Sequence, residues 1–199
     1  MTTLTELWQE NKVYTEPFKH VVINNIFPED ILNDILKNLP NHNLEPVMSH
    51  YPYGKVYAMG ADDCVSNKFW SNVHRFFNST DVLEFVEDKF NLDFKLKEAN
   101  LSIHYDYEGE QLGPHVDQLC TLIIFLDKIN NPQESGTEYY IKQSSNYADN
   151  KIAKWSNFSV FKTIPAIQNT GHLFAPAENS WHGFYNLNET RSCLVMRFK

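Results

Sequence analysis

The sequence predicts an α+β protein, with a helical first part buttressing a β-sandwich or barrel. Three observations predict this. Apolar residues recur at helical spacing up to about residue 92. From residue 93 onward, short runs rich in β-branched and aromatic residues alternate with turn signals. No repeat or low-complexity linker divides the 199 residues, which suffice for one domain and are short for two.

In the first part, Pro28, Glu29 and Asp30 open a helix, with proline in the first turn and acids at the positive end of the dipole. Ile31, Leu32, Ile35, Leu36 and Leu39 keep helical spacing, and Pro40 stops the run. Phe69, Trp70, Val73, Phe76 and Phe77 predict a second helix. Ser79 or Thr80 caps a third, which carries Val82, Leu83, Phe85, Val86 and Phe90. These aromatic stripes read as core packing. The expected strands are Phe94 to Tyr107, His115 to Leu119, Thr121 to Asp127, Thr137 to Lys142, Asn157 to Lys162, Gly171 to Ala175, Trp181 to Tyr185 and Arg191 to Phe198. The polar stretch Gln143 to Ser156 reads as a long loop, a candidate lid.

A composition of 42% apolar and 21% charged residues excludes a disordered chain. The net charge of −8 argues against a nucleic-acid partner, since phosphate needs a basic surface. Cys64, Cys120 and Cys193 are odd in number and form no CxxC pair, which fits a reducing compartment. Residues 1–10 lack a basic start and an apolar run, so the reading is cytoplasmic, with no membrane partner.

The chemistry is carried by a few residues. In Gly113-Pro114-His115-Val116-Asp117, a strand would present His115 and Asp117 from one face, because residues two apart share a side. His-x-Asp alone is weak, and the bland reading is a surface histidine beside a surface acid. His182 lies late in the β half, in Ser180-Trp181-His182-Gly183. Two histidines and one carboxylate form a facial triad suited to non-haem Fe(II), with three positions left open. Arg191, nine residues on, offers a planar fork matched to a carboxylate. Its bland alternative is a surface arginine.

With these residues in order, the sequence over 100–199 resembles the prolyl-4-hydroxylase-like branch of the Fe(II)/2-oxoglutarate oxygenases. Tyr105, ten residues before His115, is similar to a family tyrosine, and Thr121 to Leu126 resembles the strand that follows. Ser135-Gly136-Thr137-Glu138-Tyr139 resembles a Gly-Gly-Glu strand entry, with Thr137 in place of the second glycine. The resemblance implies a double-stranded β-helix, or jelly roll, over residues 93–199, supported by a mainly helical 1–92 in one domain. It implies His115, Asp117 and His182 as metal ligands and catalytic residues, with Arg191 as the catalytic 2-oxoglutarate anchor. It also implies that Tyr105 donates its hydroxyl to that cosubstrate. Fe(II), 2-oxoglutarate and O2 are the implied cofactors. Phe125 and Val195 lack hydroxyls that some relatives carry, leaving Thr121 or Ser192 to supply the bond, and Thr121 joins the expected cosubstrate set. His104, next to Tyr105, should face the other way and not ligate. His20, His42, His50, His74 and His172 have no matching carboxylate context.

The implied activity is hydroxylation of a C–H bond, of a peptidyl prolyl or other amino-acid side chain. The competing readings are an oxygenase of a free small molecule and a non-catalytic metal-binding sensor or scaffold. The intact triad with Arg191 argues against the scaffold. Asp117 argues against a halogenase, which needs its position vacant. Finally, the short turn Asn186-Leu187-Asn188 invites a hairpin between the last two strands, whereas the resemblance puts them in opposite sheets.

Overall fold

The computed structural model describes residues 8–40, 57–59, 67–143 and 155–199. Helix α1 (Glu29–Lys37) starts after Pro28, with Glu29 and Asp30 in its first turn and Lys37 in its last, all favourable to its dipole. It buries Leu32 and Ile35. Helix α2 (Lys68–Phe77) is capped by the Asn67 side chain, which accepts from the amides of Phe69 and Trp70. Helix α3 (Thr80–Phe90) ends at Asn91 in the left-handed conformation, φ 50°.

The strands are β1 (Val13–Tyr14), β2 (His20–Ile23), β3 (Tyr57–Met59), β4 (Ala99–Asp106), β5 (Leu112–His115), β6 (Cys120–Phe125), β7 (Thr137–Lys142), β8 (Phe158–Ile164), β9 (Gly171–Phe174), β10 (His182–Phe184) and β11 (Arg191–Phe198). Seven form one sheet in the order β1-β2-β9-β6-β11-β4-β3, and four form a second, β5-β10-β7-β8. Every pairing is antiparallel.

Residues 1–92 were expected to be mainly helical support, and here the structure differs. Strands β1, β2 and β3 come from that part and extend the larger sheet at both ends. They were missed because a strand of two to four residues carries almost no periodicity. The loop expected at Gln143 to Ser156 lies largely outside the described residues, as do His42, His50 and Cys64.

Two cores result. One face of the large sheet packs Leu101, Ile103, Leu122, Leu194 and Met196 against Phe77, Phe85 and Val86 of the helices. The other face turns Phe125, Phe174, Cys193 and Val195 toward Tyr139 and Ile164 of the small sheet. The chain passes from β10 in the small sheet to β11 in the large one, so Asn186–Asn188 joins the two sheets and is no hairpin turn. That crossing places His182 and Arg191 on opposite walls of one interior.

Candidate active site

His115 ends β5 and lies directly opposite His182 on β10, with ring centroids 4.3 Å apart. The two rings are oriented in the same way. Nδ1 of His115 is 2.9 Å from the Gly113 carbonyl, and Nδ1 of His182 is 2.9 Å from the Ser180 carbonyl. A carbonyl only accepts, so each Nδ1 carries the proton and each Nε2 keeps its lone pair. Both Nε2 atoms turn toward Asp117, His115 at 4.0 Å from Oδ1 and His182 at 3.7 Å from Oδ2. One ligand atom from each residue lies within 4.8 Å of the others.

The convergence does not arise as expected. Strand β5 stops at His115, so Asp117 is not its same-face neighbour on a strand. Asp117 sits in the loop before β6, where the Thr121 hydroxyl donates to its Oδ2 at 2.8 Å. Gly183 lets β10 approach β5, because a Cβ there would meet the Leu112 carbonyl oxygen at 2.3 Å.

Burial opposes ionisation of Asp117. His182, His115, Arg197 and the Thr121 hydroxyl outweigh it and hold the carboxyl below its ordinary range. Burial, then His115, lowers His182 to about 4. At neutral pH His182 is therefore a neutral imidazole and Asp117 a carboxylate, the forms that bind a metal.

Arg191 begins β11 and is 3% exposed. Its Nε donates to Asp106 Oδ2 at 2.9 Å, and its Nη1 donates to the Ser135 carbonyl at 2.6 Å. The guanidinium lies over the rings of Phe184 at 4.5 Å and Phe125 at 5.4 Å. Phe184 is two residues past His182 on β10, a step of about 7 Å along a strand.

Tyr105 and Thr121 are not brought together with Arg191. Tyr105 shares its face of β4 with Ala99, Leu101 and Ile103, packs in the helix-side core, and donates its hydroxyl to the Pro40 carbonyl at 2.6 Å. The opposite face of β4 carries Asn100, Ser102, His104 and Asp106, and Asp106 pairs with Arg191 across the strands. The strand alternates as expected, but the two faces are exchanged: the apolar face meets the helices and the polar face lines the interior. His104, expected to point away, is on the interior face, accepts or donates to Ser102 Oγ at 2.9 Å, and is lowered to about 3 by burial and then by Arg197. Thr121 serves Asp117, and Ser192 donates to Asp127 at 2.6 Å, so neither expected hydroxyl faces Arg191.

Other hydroxyls are available. Ser135 Oγ and Thr137 Oγ1 are buried without a hydrogen-bond partner among the described residues. Ser135 is the residue whose carbonyl Arg191 holds, and Thr137 lies two residues on, at the start of β7, which pairs with β10. A second pair missed in the sequence is Tyr139 and His172. The Tyr139 hydroxyl is 2.8 Å from His172 Nδ1, and His172 Nε2 is buried without a partner. Polar residues recurring at period two in Ala99–Asp106 were the available signal for the interior face.

No protein-family model and no curated protein sequence matches the chain. Solved structures do. A prolyl-4-hydroxylase from Pseudomonas putida superposes with a TM-score of 0.64 at 9% identity, covering 99% of this chain and 98% of that one. HygX from Streptomyces hygroscopicus, solved with nickel, 2-oxoglutarate and hygromycin B, gives 0.56 at 14% identity over 90% and 82%. A prolyl hydroxylase from Trichoplax adhaerens, in complex with a hypoxia-inducible-factor peptide, gives 0.57 at 12% identity over 98% and 86%. The fold is that of the 2-oxoglutarate–Fe(II) oxygenases, with prolyl-4-hydroxylases among its neighbours. Among the described residues, no helix is long and apolar enough to cross a membrane.

Proposed function

We propose that this chain is an Fe(II)- and 2-oxoglutarate-dependent dioxygenase that hydroxylates a C–H bond, and that its two sheets form a single jelly-roll domain. The observation that carries the reading is the paired orientation of His115 and His182. With both Nδ1 protons given to carbonyls, two Nε2 lone pairs and the Asp117 carboxylate face one point. Two imidazoles and a carboxylate suit a divalent first-row metal and leave three positions open.

The interior also fits the cosubstrate. Arg191 supplies a cation, and the unpartnered hydroxyls of Ser135 and Thr137 supply donors that a distal carboxylate would satisfy. With iron, 2-oxoglutarate and O2 bound, the centre would supply the oxidant for the C–H bond while 2-oxoglutarate leaves as succinate and carbon dioxide. The protein's own part is to hold the metal through His115, Asp117 and His182 and to fix the dicarboxylate at Arg191. Phe125, Phe184 and Val195 keep the interior apolar around that ion. A sensor or scaffold that only bound metal would have no use for a buried cation flanked by open hydroxyls.

For the substrate, the reading takes a peptidyl prolyl or other amino-acid side chain, as in the prolyl hydroxylases that share the fold. HygX is the precedent for a free small molecule. Succinate release by the Fe(II)-loaded protein, measured against peptide and small-molecule panels, tests both. Release that depends on Fe(II) and rises with one class is the expected result. No 2-oxoglutarate consumption with any compound would reject the dioxygenase.

A further inference from the structure

Arg191 is already neutralised. Its Nε is bonded to Asp106 and its Nη1 to the Ser135 carbonyl, and the Arg191 and Asp106 side chains are 3% and 5% exposed. Among the described residues these bonds use two of the five N–H donors of the guanidinium, and the others can serve a ligand. A distal carboxylate arriving there becomes the second anion on one buried cation. Two carboxylates that share a site cannot both remain ionised cheaply, and a proton is the usual remedy.

We propose that Asp106 is a positioning and specificity residue that sets the affinity for the dicarboxylate, and that the anion binds with uptake of one proton by Asp106. The inference rests on the dioxygenase reading above. One proton leaves solvent and forms an O–H bond on the Asp106 carboxyl. The other carboxyl oxygen keeps accepting from Arg191 Nε, and the new hydroxyl donates to the incoming carboxylate. The ligand carboxylate thereby replaces Asp106 as the counter-ion of the guanidinium, and the buried group stays neutral overall.

Burial already favours the protonated form of Asp106, pushing its carboxyl above the ordinary range against the pull of Arg191. The titratable neighbours do not compete for this role. His104 on the same strand and His172 on β9 are held neutral by burial, and burial keeps Cys193 on β11 as a thiol. Asp127, after β6, accepts from the amide and hydroxyl of Ser192. Glu138 on β7 also feels Arg191 and is raised by burial, but it accepts from the Tyr140 hydroxyl, so Glu138→Gln serves as the control.

The test is calorimetric titration of 2-oxoglutarate into Ni(II)-loaded protein between pH 6 and 8, in buffers of differing ionisation enthalpy. The wild type and Glu138→Gln should take up about one proton per ligand at the alkaline end, where affinity falls by up to about tenfold per pH unit. Asp106→Asn keeps an acceptor for Nε and removes the competing anion. It should bind at least about tenfold more tightly at pH 8, with no proton uptake. Wild-type binding without proton uptake overturns the proposal, and that measurement needs no variant to fold. Asp106→Asn binding that is no tighter, or that keeps the wild-type pH slope, also overturns it while leaving the dioxygenase reading standing. Absence of 2-oxoglutarate binding to both proteins at every pH removes the two together.

Discussion

The Thr121 hydroxyl donates to Asp117 Oδ2 at 2.8 Å and also reaches the Leu119 carbonyl at 3.2 Å. Asp117 lies in a loop, so this bond is what orients its carboxylate toward the two imidazoles. Outer partners of metal ligands are commonly worth about 10–100-fold in metal affinity. Thr121→Val should therefore weaken metal binding by about that factor. The affinity of the metal-saturated protein for 2-oxoglutarate should stay near the wild-type value. Separate titrations of metal and cosubstrate check this, and a selective loss of 2-oxoglutarate binding would return Thr121 to the cosubstrate.

Tyr105 donates to the Pro40 carbonyl from the helix-side core. Tyr105→Phe removes that bond and leaves a carbonyl to be satisfied elsewhere, which costs about 1–3 kcal/mol. The variant should show a lower Tm, with 2-oxoglutarate affinity and turnover retained at saturation. Loss of cosubstrate binding at unchanged Tm would contradict the placement of Tyr105.

Arg191→Lys keeps a positive charge but loses the fork that spans Asp106 and Ser135. It should weaken 2-oxoglutarate by about tenfold or more and leave metal affinity almost unchanged. An undiminished 2-oxoglutarate affinity would remove Arg191 from the site.

Buried neutral histidines make stability fall in acid. His172 is held well below its ordinary 6.5 by burial, then by His182 and Arg191, and His104 is lowered to about 3. The folded state thus binds fewer protons than the unfolded one below pH 6.5. The stabilisation is complete above that pH and is lost as pH falls toward about 3. Thermal melts of the metal-free protein should show Tm dropping below pH 6.5. The drop should be shallower in His172→Gln than in the wild type. Parallel slopes would reject His172 as a contributor.

The three side chains that converge, His115, Asp117 and His182, were legible in the sequence because their identity and order carry the signal. How they meet was not legible. The i, i+2 rule supposed a strand through Asp117, but β5 ends at His115 and the loop turns Asp117 inward under Thr121. On β4 the alternation was legible and its sense was not. Tyr105 shares its face with Ala99, Leu101 and Ile103, which need an apolar partner, and the helices provide it. Asp106 was legible only as the end of a polar face, and the open hydroxyls of Ser135 and Thr137 left no sequence signal, because burial and an absent partner are properties of the packed chain. The short N-terminal strands were equally silent, since β2 is fixed by its pairing with β1 and β9 and not by its own periodicity.

Anaerobic titration of Fe(II) followed by 2-oxoglutarate tests most directly the proposed metal centre of His115, Asp117 and His182. The wild type should bind one Fe(II) per chain, and 2-oxoglutarate should then bind tightly only to the metal-loaded protein. Asp117→Ala should lose both affinities and all succinate release, with a near-wild-type Tm in the metal-free state. Fe(II) affinity undiminished in Asp117→Ala, or 2-oxoglutarate binding indifferent to the metal, would contradict a metal centre at these three side chains.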